Sequence, residues 1–335
     1  MHRVIELDRA AFAALPPVGT MSAPSAAMLA LTAADAFLAV RADGGRIVAR
    51  AAVWWNDAPL LDGVPVGRVG HFATEDEGAA IRLLDAARAL LHARGHNMAV
   101  GPLDGSTWFS YRFVVDARGV LAEPRAPFAL EPAQPAEWPD LWTRAGWHLC
   151  ARYHSSVVQE LAAVDAPSMR ARLDAHGISL RPLDPRDWSA ELDRLYDVAA
   201  AAFAAAPLAS PITRERFHQL YTPFHASVQP DLVLFAERDG EAVGFGFAYP
   251  DMTPVARGGA VDTVVIKTVA VHPARRVPGL GGVLVNELHA RARALGYRQA
   301  IHALMHDDNV GSTRLSARFG VPMRRYALFA APTAA

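Results

Sequence analysis

The chain has a single cysteine, Cys150, among its 335 residues, and a single lysine, Lys267. One cysteine excludes a disulfide within the chain and any metal site built from several cysteines. The formal net charge is -1 and no run of like charges stands out. A basic stripe of the kind that binds nucleic acid is therefore missing, and no nucleic-acid partner is expected.

Long apolar stretches are also missing. No run approaches the roughly 20 apolar residues that a membrane-crossing helix needs. The opening segment MHRVIELDRAAF carries acidic residues and no uninterrupted apolar stretch, which argues against a secretory signal. We therefore expect a soluble, cytoplasmic protein that does not bind a membrane.

The pattern of predicted elements occurs twice along the chain. At about 100–200 residues per domain, 335 residues predict two domains. The order turn, strand, helix, glycine and strand is found in Gly45–Val53, Ala79–Gly95 and Asn97–Gly101, and again in Gly240–Ala248, Val283–Gly296 and Gln299–Met305. This repetition predicts a duplicated domain, with a first lobe of residues 1–160, a hinge of residues 161–177 and a second lobe of residues 178–335.

A glycine-rich turn in the second copy carries the strongest chemical signal. A β-branched run ending at Val271 suits a buried strand, and RVPGLGG, residues 276–282, leads from it into a helix. Glycines let the backbone approach a bulky anion, and the start of a helix presents free N–H groups to that anion. We therefore predict a pyrophosphate site at Arg276, Val277, Pro278, Gly279, Leu280, Gly281 and Gly282.

Two common nucleotide-binding motifs fit this turn poorly. The dinucleotide motif G-x-G-x-x-G needs a third glycine, but Leu284 stands three residues after Gly281. The P-loop motif needs a lysine after its glycines, whereas Lys267 precedes them. An oxidoreductase with a nicotinamide cofactor therefore remains a rival interpretation, weakened by the missing glycine.

The segment resembles motif A of the GNAT superfamily of N-acyltransferases. That motif is V-x-P followed by [QR]-x-x-G-x-[GA], and here it reads VHP at 271–273 followed by RVPGLG at 276–281. The marked positions of a second family segment are matched by Asn309, Ser312, Leu315 and Gly320. The resemblance covers residues 178–329 and implies an enzyme that uses acetyl-CoA or another acyl-CoA.

The resemblance also implies the fold and the placement of the cofactor. The expected fold is α/β (α+β), with two lobes that each contain a mixed, mostly antiparallel central sheet flanked by helices. The strand ending at Val271 is expected to diverge from its neighbour, with pantetheine in the opening. Besides the pyrophosphate residues, the residues expected to bind the cofactor are Val269, Ala270, Val271, Asn309 and Ser312.

The expected reaction is direct attack of the primary amine of a small molecule on the thioester, which requires a base that removes a proton from the amine. The candidate bases are Asp262, His302, His306, Asp307 and Asp308. His306 follows the last predicted strand of its lobe, near the expected cleft, and is preferred together with Asp307.

Many family members have a tyrosine acid directly after the Leu315 position, where this chain has Ser316. Tyr326 is the candidate substitute, unless water serves or the thiolate leaves unaided. The missing tyrosine also supports a rival interpretation, a non-catalytic acyl-CoA sensor or scaffold.

The first copy lacks the glycine turn. It has HFATEDEGAA at residues 71–80, and the three acidic residues there would repel a pyrophosphate. This copy resembles the degenerate N-terminal lobes of tandem GNAT proteins, which implies a structural or substrate-shaping role.

A polar and aromatic loop follows, with Trp108, Tyr111 and Arg112. This loop either forms part of an acceptor pocket or packs the lobes together. Lys267 is either a substrate contact or an edge lysine. A monomer and a homodimer both remain open.

Overall fold

The computed structural model describes residues 2–162, 166–275 and 277–334. The strands are β1 (Arg3–Leu7), β2 (Ala36–Arg41), β3 (Ile47–Trp54), β4 (Leu60–Leu61), β5 (Val64–Pro65), β6 (Gly67–Thr74), β7 (Met98–Gly101), β8 (Phe113–Asp116), β9 (His148–Val158), β10 (Ser179–Pro182), β11 (Val233–Arg238), β12 (Glu241–Pro250), β13 (Thr263–Val271), β14 (Gln299–His306) and β15 (Val321–Pro332).

The α-helices connect these strands and cover their faces. They are α1 (Arg9–Ala13), α2 (Ala26–Thr32), α3 (Glu77–Ala93), α4 (Trp138–Arg144), α5 (Ala166–Asp174), α6 (Trp188–Phe203), α7 (Arg214–Tyr221), α8 (Leu280–Ala294) and α9 (Val310–Phe319). Among the described residues, no helix is both long and apolar enough to cross a membrane.

All strands except the short hairpin of β4 and β5 belong to one mixed sheet. Its order is β1-β2-β3-β6-β7-β15-β9-β14-β13-β12-β11-β10, and β8 pairs with β15 outside this path. The pairs β6–β7 and β13–β14 are parallel, and the other neighbours are antiparallel. The predicted fold class, a mixed and mostly antiparallel sheet flanked by helices, is confirmed.

The two copies of the repeat exchange their last strands at the centre of the sheet. Strand β9, which ends the first copy in sequence, pairs with β14 of the second copy and with β15. Strand β15, which ends the chain, pairs in turn with β7 of the first copy. Each copy therefore completes its sheet with a strand that the other copy supplies. The division at residues 161–177 stays a prediction about domains.

Helices α3 and α8, which hold equivalent places in the two copies, begin differently. Helix α3 is capped by Asp76, whose carboxylate accepts the Ala79 N–H at 2.6 Å. This arrangement satisfies a free donor of the helix start and places a negative charge there. Helix α8 begins after Gly279, which is in the left-handed region (φ 78°), and no side chain caps it. Its buried face, including Leu284 and Leu288, packs against β12 and β13.

Candidate active site

Strands β13 and β14 separate partway along their length. They pair in parallel from Thr263 with Gln299 to Ile266 with His302, and the pairing stops there. Strand β13 continues to Val271 on one side of the opening, while β14 continues to His306 on the other side and pairs with β9. The structure therefore contains the opening that the sequence resemblance implies, beside the predicted pantetheine residues Val269, Ala270 and Val271.

The glycine turn lies at the start of α8, next to this opening. The Leu280 N–H donates to the Val277 carbonyl at 3.1 Å, and the side chains of both residues are buried in the core. In the described part of the turn, the N–H groups of Gly281 and Gly282 are the helix-start donors left for an anion. A Cβ at Gly281 would lie 3.9 Å from the Val269 side chain, so the turn lies in contact distance of β13. The predicted phosphate ligand Arg276 lies outside the described residues.

One cation near the turn was missed by the sequence analysis. Arg172 on α5 donates from Nη2 to the Pro278 carbonyl at 3.5 Å, and a Cβ at Gly279 would collide with this guanidinium. The spacing of the sequence contains no signal for it, because α5 lies in the predicted hinge, more than 100 residues before the turn. The contact brings a positive charge to the predicted pyrophosphate site.

Asn309 and Ser312 form the start of α9 across the opening. The Asn309 side-chain oxygen accepts the Ser312 N–H at 3.2 Å, and the Ser312 hydroxyl donates to the Asn309 carbonyl at 3.2 Å. The amide NH₂ of Asn309 is left to donate to a ligand. Both residues line the large cavity described next, together with Val269.

A cavity of about 980 Å³ extends from the opening into the space between the two copies. From the second copy it is lined by α6, α7, β13 and β14, and from the first copy by the loop of residues 101–113. Most of its wall is apolar and aromatic, which is typical of small-molecule sites. Trp108 lines the cavity and also donates to the Ser210 carbonyl at 2.9 Å. The loop therefore does both things that the sequence left open: it forms part of the wall and it packs the lobes together.

Of the predicted catalytic residues, His306 lines the cavity. Its Nδ1 accepts the Asp308 N–H at 3.1 Å, and its ring meets Tyr153 edge-on at 4.8 Å. Asp307 instead bonds Nδ1 of His154 at 2.6 Å, on the exchanged strand β9, and is not among the described residues of the cavity wall. The structure thus places His306 on the cavity wall, whereas the Asp307 carboxylate is bonded to His154 beside it.

Tyr326 is fully buried and is not among the described residues that line the cavity. Its hydroxyl bonds the Glu131 carboxylate and lies 3.0 Å from Oγ of Ser155. Burial, followed by the Glu131 charge, raises the pKa of the Tyr326 phenol above its ordinary value. Glu131 also pairs with Arg324, so the phenol belongs to a buried polar network.

Two other candidate bases are placed unfavourably for that role. His302 lines the cavity, but its Nε2 lies 3.0 Å from Nε2 of His289, and burial lowers the pKa of His302 to about 3. An imidazole that binds its proton so weakly is a poor base near neutral pH. Asp262 lies beyond the paired end of β13, where its carbonyl accepts the Arg298 and Gln299 N–H groups. Asp308 is exposed beside His306.

The corresponding opening in the first copy is filled by its own chain. Strands β6 and β7 pair only at Gly67 and Arg68, and the loop after β7 then enters the gap. The Leu103 N–H donates to the Val69 carbonyl at 2.9 Å, and the Asp104 carboxylate accepts the His71 N–H at 2.6 Å. Backbone groups equivalent to those expected to hold pantetheine in the second copy are thus already bonded.

The diverging strands, the uncapped glycine turn and the adjoining cavity are contiguous in the second copy. Residues 192–321 match the model of the acetyltransferase (GNAT) family. These residues form a GNAT acetyltransferase domain, so the predicted family and its enzyme class, N-acetyltransferase, are confirmed for this domain. No curated protein matches the chain.

Several solved structures share the fold of the whole chain. A GCN5-related N-acetyltransferase from Sphaerobacter thermophilus has 16% identity and a TM-score of 0.51, with 89% of this chain and 80% of that chain covered. A tandem GNAT protein from the clavulanic acid biosynthesis pathway has 15% identity and a TM-score of 0.51, with 100% and 99% covered. A GCN5-related N-acetyltransferase from Kribbella flavida has 9% identity and a TM-score of 0.51, with 98% and 70% covered.

Proposed function

We propose that this protein transfers an acetyl group from acetyl-CoA to the primary amine of a small molecule by direct attack on the thioester. One observation carries the proposal: the uncapped start of α8 lies beside the diverging strands, and the opening between those strands leads into a large cavity. An anion-binding turn, a slot for an extended chain and a space for a second substrate are therefore contiguous.

The residues fit an acyl-CoA in this order. The N–H groups of Gly281 and Gly282 would bind the pyrophosphate, with Arg276 and the observed neighbour Arg172 supplying positive charge. The backbone of residues 269–271 and the amide of Asn309 would hold the pantetheine arm in the opening. We assign the remaining turn residues Val277, Pro278 and Leu280, and Ser312 on α9, to shaping this site.

A small acceptor is supported by the cavity rather than by the fold. Its volume of about 980 Å³ lies at the upper end of the range for pockets that enclose a small ligand. Both copies contribute to its wall, so the acceptor would be surrounded rather than bound on an open face. Of the two roles that the resemblance left open for the first copy, structural or substrate-shaping, this cavity supports the second.

His306 is our proposed base. Because its Nδ1 accepts the Asp308 N–H, the neutral ring carries its proton on Nε2. For Nε2 to accept the amine proton, the ring would first have to carry its own proton on Nδ1, which requires the Asp308 N–H to turn away. The Asp308 carboxylate, 3.9 Å from Nδ1, would then accept the Nδ1 proton in a hydrogen bond. Asp307 would act indirectly, by fixing His154 and the adjoining end of β14.

A second candidate, an acyl-CoA-binding protein without transferase activity, is favoured by one observation. The position of the family's tyrosine acid is held by Ser316, which is 1% exposed, and the alternative phenol of Tyr326 is bonded to Glu131. Release of free CoA from acetyl-CoA in the presence of an amine panel separates the two candidates. Tight acetyl-CoA binding without release would refute the transferase proposal.

The cofactor site has its own test. Changing Gly281→Val places a branched side chain between the turn and β13, so we expect the Kd for CoA to rise at least about tenfold, because hydrogen bonds to charged groups contribute about 1.5–3 kcal/mol. Gly78→Val, at the equivalent second position of α3 in the first copy, where a Cβ would contact nothing closer than 3.4 Å, is the matched control. An unchanged Kd in a folded Gly281→Val variant would contradict the assignment of the turn.

A further inference from the structure

Two cations lie on opposite sides of the opening between β13 and β14. Arg112 comes from the first copy and donates from Nη1 to the Leu304 carbonyl of β14 at 2.9 Å. Lys267 lies on β13, directly after Ile266, the last residue that pairs with β14. Both residues line the cavity.

Neither cation has an acidic partner. Among the described residues, no carboxylate lies within ion-pair distance of either group, and aromatic rings surround them instead. The Arg112 guanidinium lies 3.6 Å from the Tyr111 ring centroid and 4.3 Å from that of Tyr153. The Lys267 ammonium lies 5.3 Å from the centroid of Tyr221. Ring faces favour a cation but leave its charge in place, so both groups remain able to attract an anion.

The acidic residues of the cavity are already engaged. Asp104 pairs with Nδ1 of His71 at 3.1 Å, and Glu131 pairs with Arg324 outside the described cavity wall. Arg50, which is 2% exposed, also lines the cavity and adds a further positive charge, and its Nε and Nη1 have no acceptor among the described residues. The described wall therefore has a surplus of positive charge that the protein itself does not neutralise.

The placement of Arg112 requires an unusual backbone. Arg112 has φ 72° and Leu304, whose carbonyl it bonds, has φ 57°, so both residues adopt the left-handed conformation that non-glycine residues rarely adopt. Such strained residues persist where the surrounding structure holds them, and they occur often at binding sites. Here the strained pair fixes the side chain of Arg112, a residue that is 5% exposed, beside β14.

We propose that Arg112 and Lys267 form a binding site for a carboxylate of the acceptor, which is therefore an amino acid or a similar amine that carries an acid group. The inference rests on the proposed function, because it places the amine of the same molecule at the thioester. A carboxylate in the cavity within reach of both side chains would offset part of this surplus charge and accept hydrogen bonds from both. The apolar wall formed by α6 and α7 would contact the rest of the acceptor.

Matched pairs of acids and amides test this inference. The panel consists of glycine, β-alanine, 4-aminobutyrate, phenylalanine and tyrosine, each compared with its carboxamide. Two quantities are measured for each compound: kcat/KM for acetyl transfer, and the shift in Tm of the protein without CoA. We expect at least one acid to exceed its amide by about 10- to 100-fold in kcat/KM, the range expected for hydrogen bonds to a charged group.

The variants assign that preference to residues. Lys267→Gln and Arg112→Gln should each reduce the acid preference about tenfold or more, whereas Lys267→Arg should retain most of it. Arg94→Gln is the control, because its exposed guanidinium also lies over an aromatic ring, 4.1 Å from Trp55, but not on the described cavity wall. Lys267 is half-buried on a strand, so its variants keep the test informative if Arg112→Gln fails to fold.

The two readouts separate this inference from the proposed function. Acid-selective Tm shifts that Lys267→Gln abolishes would support the carboxylate site even if no compound is acetylated, in which case the transferase proposal alone would fail. Acetylation of amides as efficient as that of every matched acid would overturn the carboxylate site and leave the transferase proposal intact. Acid preference that persists unchanged in both charge-removing variants would also overturn it.

Discussion

The buried pair of His289 and His302 should make the stability of this protein fall steeply in mild acid. Their Nε2 atoms are 3.0 Å apart, and the residues are 4% and 5% exposed. Burial lowers the pKa of His289 to about 4, and burial followed by the neighbouring charge lowers that of His302 to about 3. Each ring is therefore neutral in the folded protein at pH values where an unfolded chain already protonates it.

The sign and size follow from proton linkage. Both pKa values are depressed below the unfolded value of about 6.5, so the stability from neutral rings is fully present above that pH and is lost as the pH falls. At pH 5 the unfolded chain gains about 2 kcal/mol for each histidine, because one pH unit corresponds to about 1.4 kcal/mol per proton. The pair should thus account for about 4 kcal/mol of lost unfolding free energy between pH 7.5 and pH 5.

The assay compares urea unfolding of the wild type with that of the double variant His289→Leu/His302→Leu at pH 5, 6 and 7.5. Replacing both partners by apolar groups leaves no buried donor or acceptor unpaired, so the variant should fold. Its free energy of unfolding should depend less on pH, by about 4 kcal/mol over the range. His176→Gln, at an exposed position, is the control. Parallel pH curves for the wild type and the double variant would refute the reasoning.

Three further changes address the site and the exchanged strands. His306→Phe should lower kcat about 100-fold, measured by thiol release, and leave the Kd for acetyl-CoA, measured by calorimetry, unchanged. A variant with the kcat of the wild type would refute His306 as the base. Tyr326→Phe should reduce the free energy of unfolding by about 1–2 kcal/mol, because Glu131 loses a hydrogen-bond donor, and should retain kcat. A large loss of kcat without a loss of stability would instead support the Tyr326 phenol as the catalytic acid. Gly320→Ala should destabilise by about 1–3 kcal/mol because its Cβ would lie 2.5 Å from the Val157 carbonyl oxygen, and an unchanged urea midpoint would contradict this packing.

Local patterns in the sequence were sufficient to predict the second copy of the fold. The helix predicted over Val283–Gly296 is observed as α8, which begins three residues earlier, at Leu280 after the N-cap Gly279, and ends at Ala294. Apolar spacing, glycine and the strand before the turn are all short-range signals, and the turn depends on them. The opening beside Val269 was expected only from the resemblance to motif A, and no local pattern of the sequence specified it.

Features that depend on distant partners were not predictable. Strands β9 and β15 each carry a run of buried residues, and nothing in their sequences specifies which copy they pair with. The pairing of Tyr326 with Glu131 joins residues 195 positions apart, and Glu131 comes from a proline-rich segment without a periodic pattern. The loop that fills the first opening was recognisable only as polar and aromatic, because its backbone contacts leave no trace in composition.

Because strands β9 and β15 are exchanged between the copies, each half of the chain needs the other half to complete its part of the sheet. A polypeptide cut within residues 161–177 would yield a front piece without β15 and a rear piece without β9, each exposing an unsatisfied sheet edge at its centre. Such edges bind complementary strands, so the separated pieces should recombine with each other and aggregate when kept apart. Removing only residues 321–332, which form β15, would leave β7 of the first copy without its partner strand, so the sheet would be disrupted in the first half of the chain as well as in the second.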